Sequence, residues 1–144
     1  MPVKPIGLAL LLSFALLSGC GVKDTPQAAL DKEVQQLQDN LEAKKTSAVM
    51  DQLHPEFAAQ QQFDHDWAKR TMTLMFLRYK NVKVIALTKD NKIDPTYSSK
   101  GYTDAQVAMT GAEGLIPDSA RHYAVRLEWW RDGDDWKLAR LSWQ

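Results

Sequence analysis

The apolar residues of this 144-residue chain change their repeat once, after Asn81, and that change restricts the folds open to it. Before Asn81 they recur every three or four positions, the spacing of one helix face; after it they recur every second position, the spacing of a half-buried strand. Helices in one block and strands in the next predict an α+β domain, with N-terminal helices packed on one face of an antiparallel sheet, here of four strands.

Thr25-Pro26 opens the first helix, since threonine suits the cap and proline the first helical position. Leu30, Val34, Leu37 and Leu41 form a narrow stripe on a helix over 26–45, opposite Lys32, Glu33, Gln36, Asp39 and Lys44. The stripe suits packing on a sheet; a coiled-coil seam needs about three or four heptads, more than it has. Thr46 or Ser47 is expected to cap a second, short helix through Val49 and Leu53. His54-Pro55 ends it, because the residue before proline avoids helical geometry. Residues 55–62 read as a connecting loop or frayed turn. A third helix starts at Asp64. Trp67, Thr71, Met72, Leu74, Met75, Phe76 and Tyr79 give it an apolar face wide enough to lie deep in a core.

The strands are expected over 82–87, 102–110, 122–130 and 136–143. Asp90-Asn91 and Asp94-Pro95 supply turn chemistry, and Gly111, Gly114 and Pro117 break the pattern after the second strand. In the third, Tyr123, Val125, Leu127 and Trp129 share the face expected in the core, and His122, Arg126, Glu128 and Trp130 share the other. Asp132-Gly133 marks a hairpin turn. The last strand changes phase between Trp136-Leu138 and Leu141-Trp143, which a bulge near Ala139-Arg140 reconciles.

Ahead of the helices, Lys4 precedes an apolar run from Ile6 to Leu17, which ends in Leu17-Ser18-Gly19-Cys20. A basic start, a short apolar centre and small residues before a cleavage point describe a secretory signal, and the run is too short to span a bilayer. Leu-Ser-Gly-Cys resembles the lipobox of bacterial lipoproteins. The resemblance implies cleavage between Gly19 and Cys20 and a diacylglyceryl group on the Cys20 thiol. It divides the chain into a leader over 1–19, a lipidated tether over 20–25 and one domain over 26–144. Gly21, where an aspartate retains such proteins at the inner membrane, implies the outer membrane facing the periplasm if the cell is Gram-negative. Formal net charge is zero, so the chain lacks the basic footprint of a nucleic-acid binder.

The helix order, the segment Leu53-His54-Pro55-Glu56-Phe57 and the closing Leu127-Glu128-Trp129-Trp130-Arg131-Asp132-Gly133-Asp134-Asp135-Trp136 resemble the nuclear-transport-factor-2-like group. Those are cone-shaped α+β domains; cystatin-like folds share the wrapped helix. The resemblance covers about residues 27–143. It implies a sheet curled around the helices, with members that are isomerase- or dehydratase-like enzymes and others that only bind ligands or proteins.

Candidate chemistry is sparse. In Asp64-His65-Asp66 a carboxylate would have to orient His65 as a base, but neighbours on a helix point apart, and a capping Asp64 with Asp66 in the first turn accounts for the cluster. A metal site from these residues with His54 or His122 lacks the spacing of ligand pairs. An acid–base enzyme would use His65 or Asp66, with Tyr102 or Tyr123 as hydrogen-bond donor. Nucleophile elbows, phosphate loops and Cys-x-x-Cys are missing, and no cofactor is implied. The preferred expectation is a non-catalytic lipoprotein whose domain binds an envelope protein or a small hydrophobic ligand, with Trp130 and Arg126 as binding residues. A structural subunit of an envelope complex is the third reading.

Overall fold

The computed structural model describes residues 23–111 and 121–144. The leader, Gly19, Cys20, Gly114 and Pro117 lie outside them. The elements run α1 Pro26–Glu42, α2 Thr46–Gln52, β1 Leu53–Ala59, β2 Phe63–Asp64, α3 His65–Arg78, β3 Val82–Ile93, β4 Lys100–Gly111, β5 Arg121–Asp132 and β6 Asp135–Trp143.

Helices do pack on one face of a sheet, but the sheet has six strands in the order β2-β1-β6-β5-β4-β3, and it is mixed. β3 to β6 are the expected antiparallel set. β3 continues to Ile93, through the Asp90-Asn91 pair expected to turn, because both residues stay paired to β4. The segment expected as a loop contributes β1, parallel to β6, and the two-residue β2, antiparallel to β1. Gln60 and Gln61 turn the chain between them at φ 50° and 60°.

Local signals place the elements. The Thr25 hydroxyl accepts the Ala28 amide at 3.1 Å, and Asp64 Oδ1 accepts the Trp67 amide at 2.8 Å. Gly133 takes the positive φ, 61°, that the β5–β6 hairpin requires. α2 departs from expectation: Lys45 is its cap residue and makes no side-chain capping bond, so neither Thr46 nor Ser47 caps it.

The β6 phase change is a bulge. Trp129 pairs with Leu138 and Glu128 with Arg140, which leaves Ala139 as the extra, fully buried residue. Both halves of β6 thereby aim Trp136, Leu138, Leu141 and Trp143 at the helices.

The core lies between α1 and the middle of the sheet. Leu30, Val34 and Leu37 of α1 meet Trp129, Trp136, Leu138, Leu53 and Phe57. Trp136 Nε1 donates to the Pro26 carbonyl at 3.1 Å, which fastens the start of α1 to β6. α3 is not deep in the core. Only Ala68 is buried, Trp67 and Met72 pack from the rim, and Leu74 and Leu77 are 63% and 81% exposed. A wide apolar face shows what a helix is able to bury, and here the sheet covers one side of it only.

Candidate functional site

Side-chain alternation divides the sheet into a face under the helices and an open face. Tyr123, Val125, Leu127 and Trp129 point with the core, as their spacing predicts. The alternate residues His122, Arg126, Glu128 and Trp130 take the open face, and cross-strand pairing builds rows around them. Trp130 lies between Lys100 and Lys137, Glu128 between Tyr102 and Arg140, and Arg126 between Asp104 and Ser142.

Two aromatic–guanidinium stacks organise these rows. Arg140 stands 4.7 Å over the Trp130 ring, whose edge meets the His54 ring at 4.8 Å and 68°. Trp130 Nε1 donates to Glu128 Oε1 at 2.8 Å, and Arg140 Nη1 donates to the Glu56 carbonyl at 2.7 Å. One row over, Arg126 stands 4.7 Å above the Tyr102 ring and 3.6 Å from Asp104. Such a stack gains about 0.5–1 kcal/mol at an exposed site, and more once a partner excludes water. The exposed Arg126–Asp104 pair adds about 0–1 kcal/mol, so it aligns the guanidinium more than it stabilises the fold.

Two depressions of about 660 and 600 Å³ lie beside these stacks and share Gln60, Arg126 and Ser142. Gln60 is fixed at their rim: its amide donates to the Leu141 carbonyl at 2.8 Å and its side chain to the Trp143 carbonyl at 2.9 Å. The resulting trough is open, with a lining that mixes polar and apolar surface.

The acid–base candidates are not assembled there. His65 and Asp66 occupy the first turn of α3, on the helix side of the sheet, where Asp66 is exposed in the first turn. Tyr123 shares the helix face, whereas Tyr102 lies on the open face, so the sheet separates the two tyrosines. Burial, with the Glu128 and Asp94 carboxylates nearby, pushes the Tyr102 phenol above its ordinary value, which favours a protonated hydroxyl able to donate. Among the described residues no three His, Cys, Asp or Glu side chains converge on a metal position; His54 instead lies against Trp130.

Trp130 and Arg126 stand out in the sequence as binding residues, whereas Arg140 and Gln60 do not, and His54 stands out there only as a weak metal ligand. The phase slip at Ala139 was a signal for Arg140, because it turns that side chain to the open face. Nothing local placed His54 on this face, which it reaches through β1.

No known protein family matches the sequence, and no curated protein is recognisably related to it. The fold does have solved counterparts. A nuclear-transport-factor-2-like protein of unknown function from Pseudomonas putida KT2440 superposes with a TM-score of 0.70 at 6% identity, over 82% of this chain and 84% of that one. A protein from Streptomyces avermitilis, proposed to be a dehydratase of the same family, gives 0.68 at 9% identity, over 84% and 96%. Bd1075 of Bdellovibrio bacteriovorus gives 0.69 at 12% identity; 80% of this chain is covered, but only 40% of that one. The domain therefore has the nuclear-transport-factor-2-like fold, of the cystatin-like kind. At these identities the likeness defines the architecture alone.

Proposed function

We propose that this chain is a lipid-anchored protein of the bacterial cell envelope, held through Cys20, whose domain binds a partner protein through the open face of its sheet. In a Gram-negative cell the reading places it on the outer membrane, facing the periplasm. The observation that carries the binding half is Trp130, a half-buried indole stacked beneath Arg140, edge-on to His54 and bonded to Glu128. Tryptophan and arginine held in fixed geometry are the residues that most often dominate protein interfaces. The lipidated N-terminus rests on Leu17-Ser18-Gly19-Cys20 after an apolar run.

A photoreactive residue at Ser142, in the trough, tests the binding half in intact cells. The reading expects a discrete crosslinked product that Trp130→Ala removes. Equal crosslinking from Ser142 and from Lys69, on the outside of α3, contradicts it.

Enzymatic chemistry of the isomerase or dehydratase kind is the second reading. It draws support from the fold shared with a protein of Shewanella frigidimarina proposed to be a ketosteroid isomerase, at 15% identity and a TM-score of 0.64. Its residues on this chain would be His65 or Asp66 with Tyr123, the tyrosine on their side of the sheet.

A further inference from the structure

We infer that the end of the domain carrying Tyr97 sits in the headgroup zone of the bilayer. The inference rests on the reading of Cys20 as the lipid anchor and adds an orientation to it.

Reach sets the first limit. Lys23 Nζ pairs with Asp134 Oδ2 at 2.8 Å, which places the start of the described chain beside the β5–β6 hairpin. Three residue steps separate Cys20 from Lys23, and an extended chain gains at most about 3.6 Å per step. The Cys20 Cα therefore lies within roughly 11 Å of the Lys23 Cα, and the anchored sulfur only a short side chain further. The other end of the domain is beyond such a tether. α1 carries the chain about 25 Å away along its axis before Lys44 Nζ reaches the Phe76 carbonyl near the end of α3.

The anchor-side end presents a built turn. Asp94 Oδ1 accepts the amides of Thr96 and Tyr97 at 2.7 and 2.8 Å. The Lys100 amide donates to the Tyr97 carbonyl at 2.9 Å, and the Arg131 amide donates to the Ser99 carbonyl at 2.8 Å, which joins the turn to the hairpin strand. On this fixed loop Tyr97 is 61% exposed, with Lys100 Nζ 5.8 Å from its ring centroid. An exposed tyrosine beside a lysine suits the membrane interface, where the ring enters the acyl boundary and the hydroxyl and ammonium stay wet.

Electrostatics selects the mode of contact. Lys23, Lys32 and Lys92 at this end are paired with Asp134, Asp24 and Asp90 at 2.8, 2.6 and 2.8 Å. Paired cations are poor recruiters of anionic lipid. Contact comes instead from the high effective concentration that the anchor imposes, and the tyrosine fixes which edge of the domain rests on the surface.

The lipidated full chain, bound to phosphatidylethanolamine–phosphatidylglycerol vesicles, tests this. Lipidation consumes the Cys20 thiol, so a single Ser98→Cys takes a fluorescent label selectively, and Leu77→Cys labels the far end in a second protein. Nitroxide lipids labelled near the headgroup should lower the Ser98→Cys signal several-fold and leave Leu77→Cys unchanged; adding Tyr97→Ser should recover much of the Ser98→Cys signal. Equal quenching at both positions, or none at 98, overturns the orientation. The mass of the N-terminal peptide from the same sample separates the failures: a lipid on Cys20 with an unquenched label refutes the orientation alone, and an unmodified thiol refutes the anchor and the orientation together.

Discussion

Trp129 Nε1 donates to Thr103 Oγ1 at 3.1 Å, between two side chains that are 0% and 1% exposed. The same hydroxyl donates to Asn91 Oδ1 at 2.8 Å, so one threonine links β5 to β3 across β4. Thr103→Val keeps the shape and strands the indole N–H in the core. The expected cost is about 1–3 kcal/mol, because a buried donor without an acceptor loses its hydration uncompensated. Urea denaturation monitored by tryptophan fluorescence checks this; a loss within error of zero contradicts the assigned bond.

Gly101 is required by close packing. A β-carbon there would stand 2.8 Å from Leu30 Cδ2 and 3.4 Å from Trp136 Cζ3, and both neighbours are buried. Gly101→Ala should destabilise by about 1–3 kcal/mol through overpacking. Leu30→Val in the same chain should return part of that loss in a double-mutant cycle.

Adjacent tryptophans should behave oppositely. Trp129 is wholly enclosed, and Trp129→Ala should cost about 3–5 kcal/mol of stability. Trp130 has one stacked neighbour and an open side, so Trp130→Ala should cost only about 1–2 kcal/mol while abolishing crosslinking from the trough. Thermal melts and in-cell crosslinking separate the two effects. A Trp130→Ala protein that keeps its crosslink shows that another surface binds.

The Tyr97 amide, and next the Thr96 amide, hold the Asp94 carboxyl below the usual carboxylate range. A group depressed in the folded state contributes stability that is complete above its unfolded value and lost as pH falls through the folded one. The 94–99 turn should therefore stay intact through mild acid and loosen only below the ordinary carboxylate range. Amide shifts of Thr96 and Tyr97 should titrate with that low midpoint, and Asp94→Asn should flatten the curve. A midpoint at or above the ordinary aspartate value contradicts the turn geometry.

What the sequence disclosed was what adjacent residues decide. Thr25, Asp64 and Gly133 announce their caps and turn because each acts within three positions of itself. The β6 bulge was legible because alternation breaks visibly between Leu138 and Leu141. β1 was hidden: Leu53–Ala59 contains His54-Pro55, lacks clean alternation, and finds its partner at Leu138 to Leu141, far along the chain. α3 misled for a related reason, since the apolar residues of one helix do not reveal how much sheet lies beneath them. The open-face cluster draws on β1, β4, β5 and β6, and a binding role was legible only in its β5 members Arg126 and Trp130.

Anchoring at Cys20, as proposed, would set where the domain works and how it stands on the bilayer. Each buried methylene contributes about 0.8 kcal/mol, so two or three acyl chains hold a protein firmly. The most direct measurement is the intact mass of the protein extracted from membranes, for wild type and for Cys20→Ser. Lipidation at Cys20 predicts a wild-type chain that begins at Cys20 and carries diacylglycerol, and a serine variant that is unlipidated and uncleaved at Gly19. A wild-type protein with a free thiol, or a serine variant cut at the same bond and still membrane-bound, contradicts it.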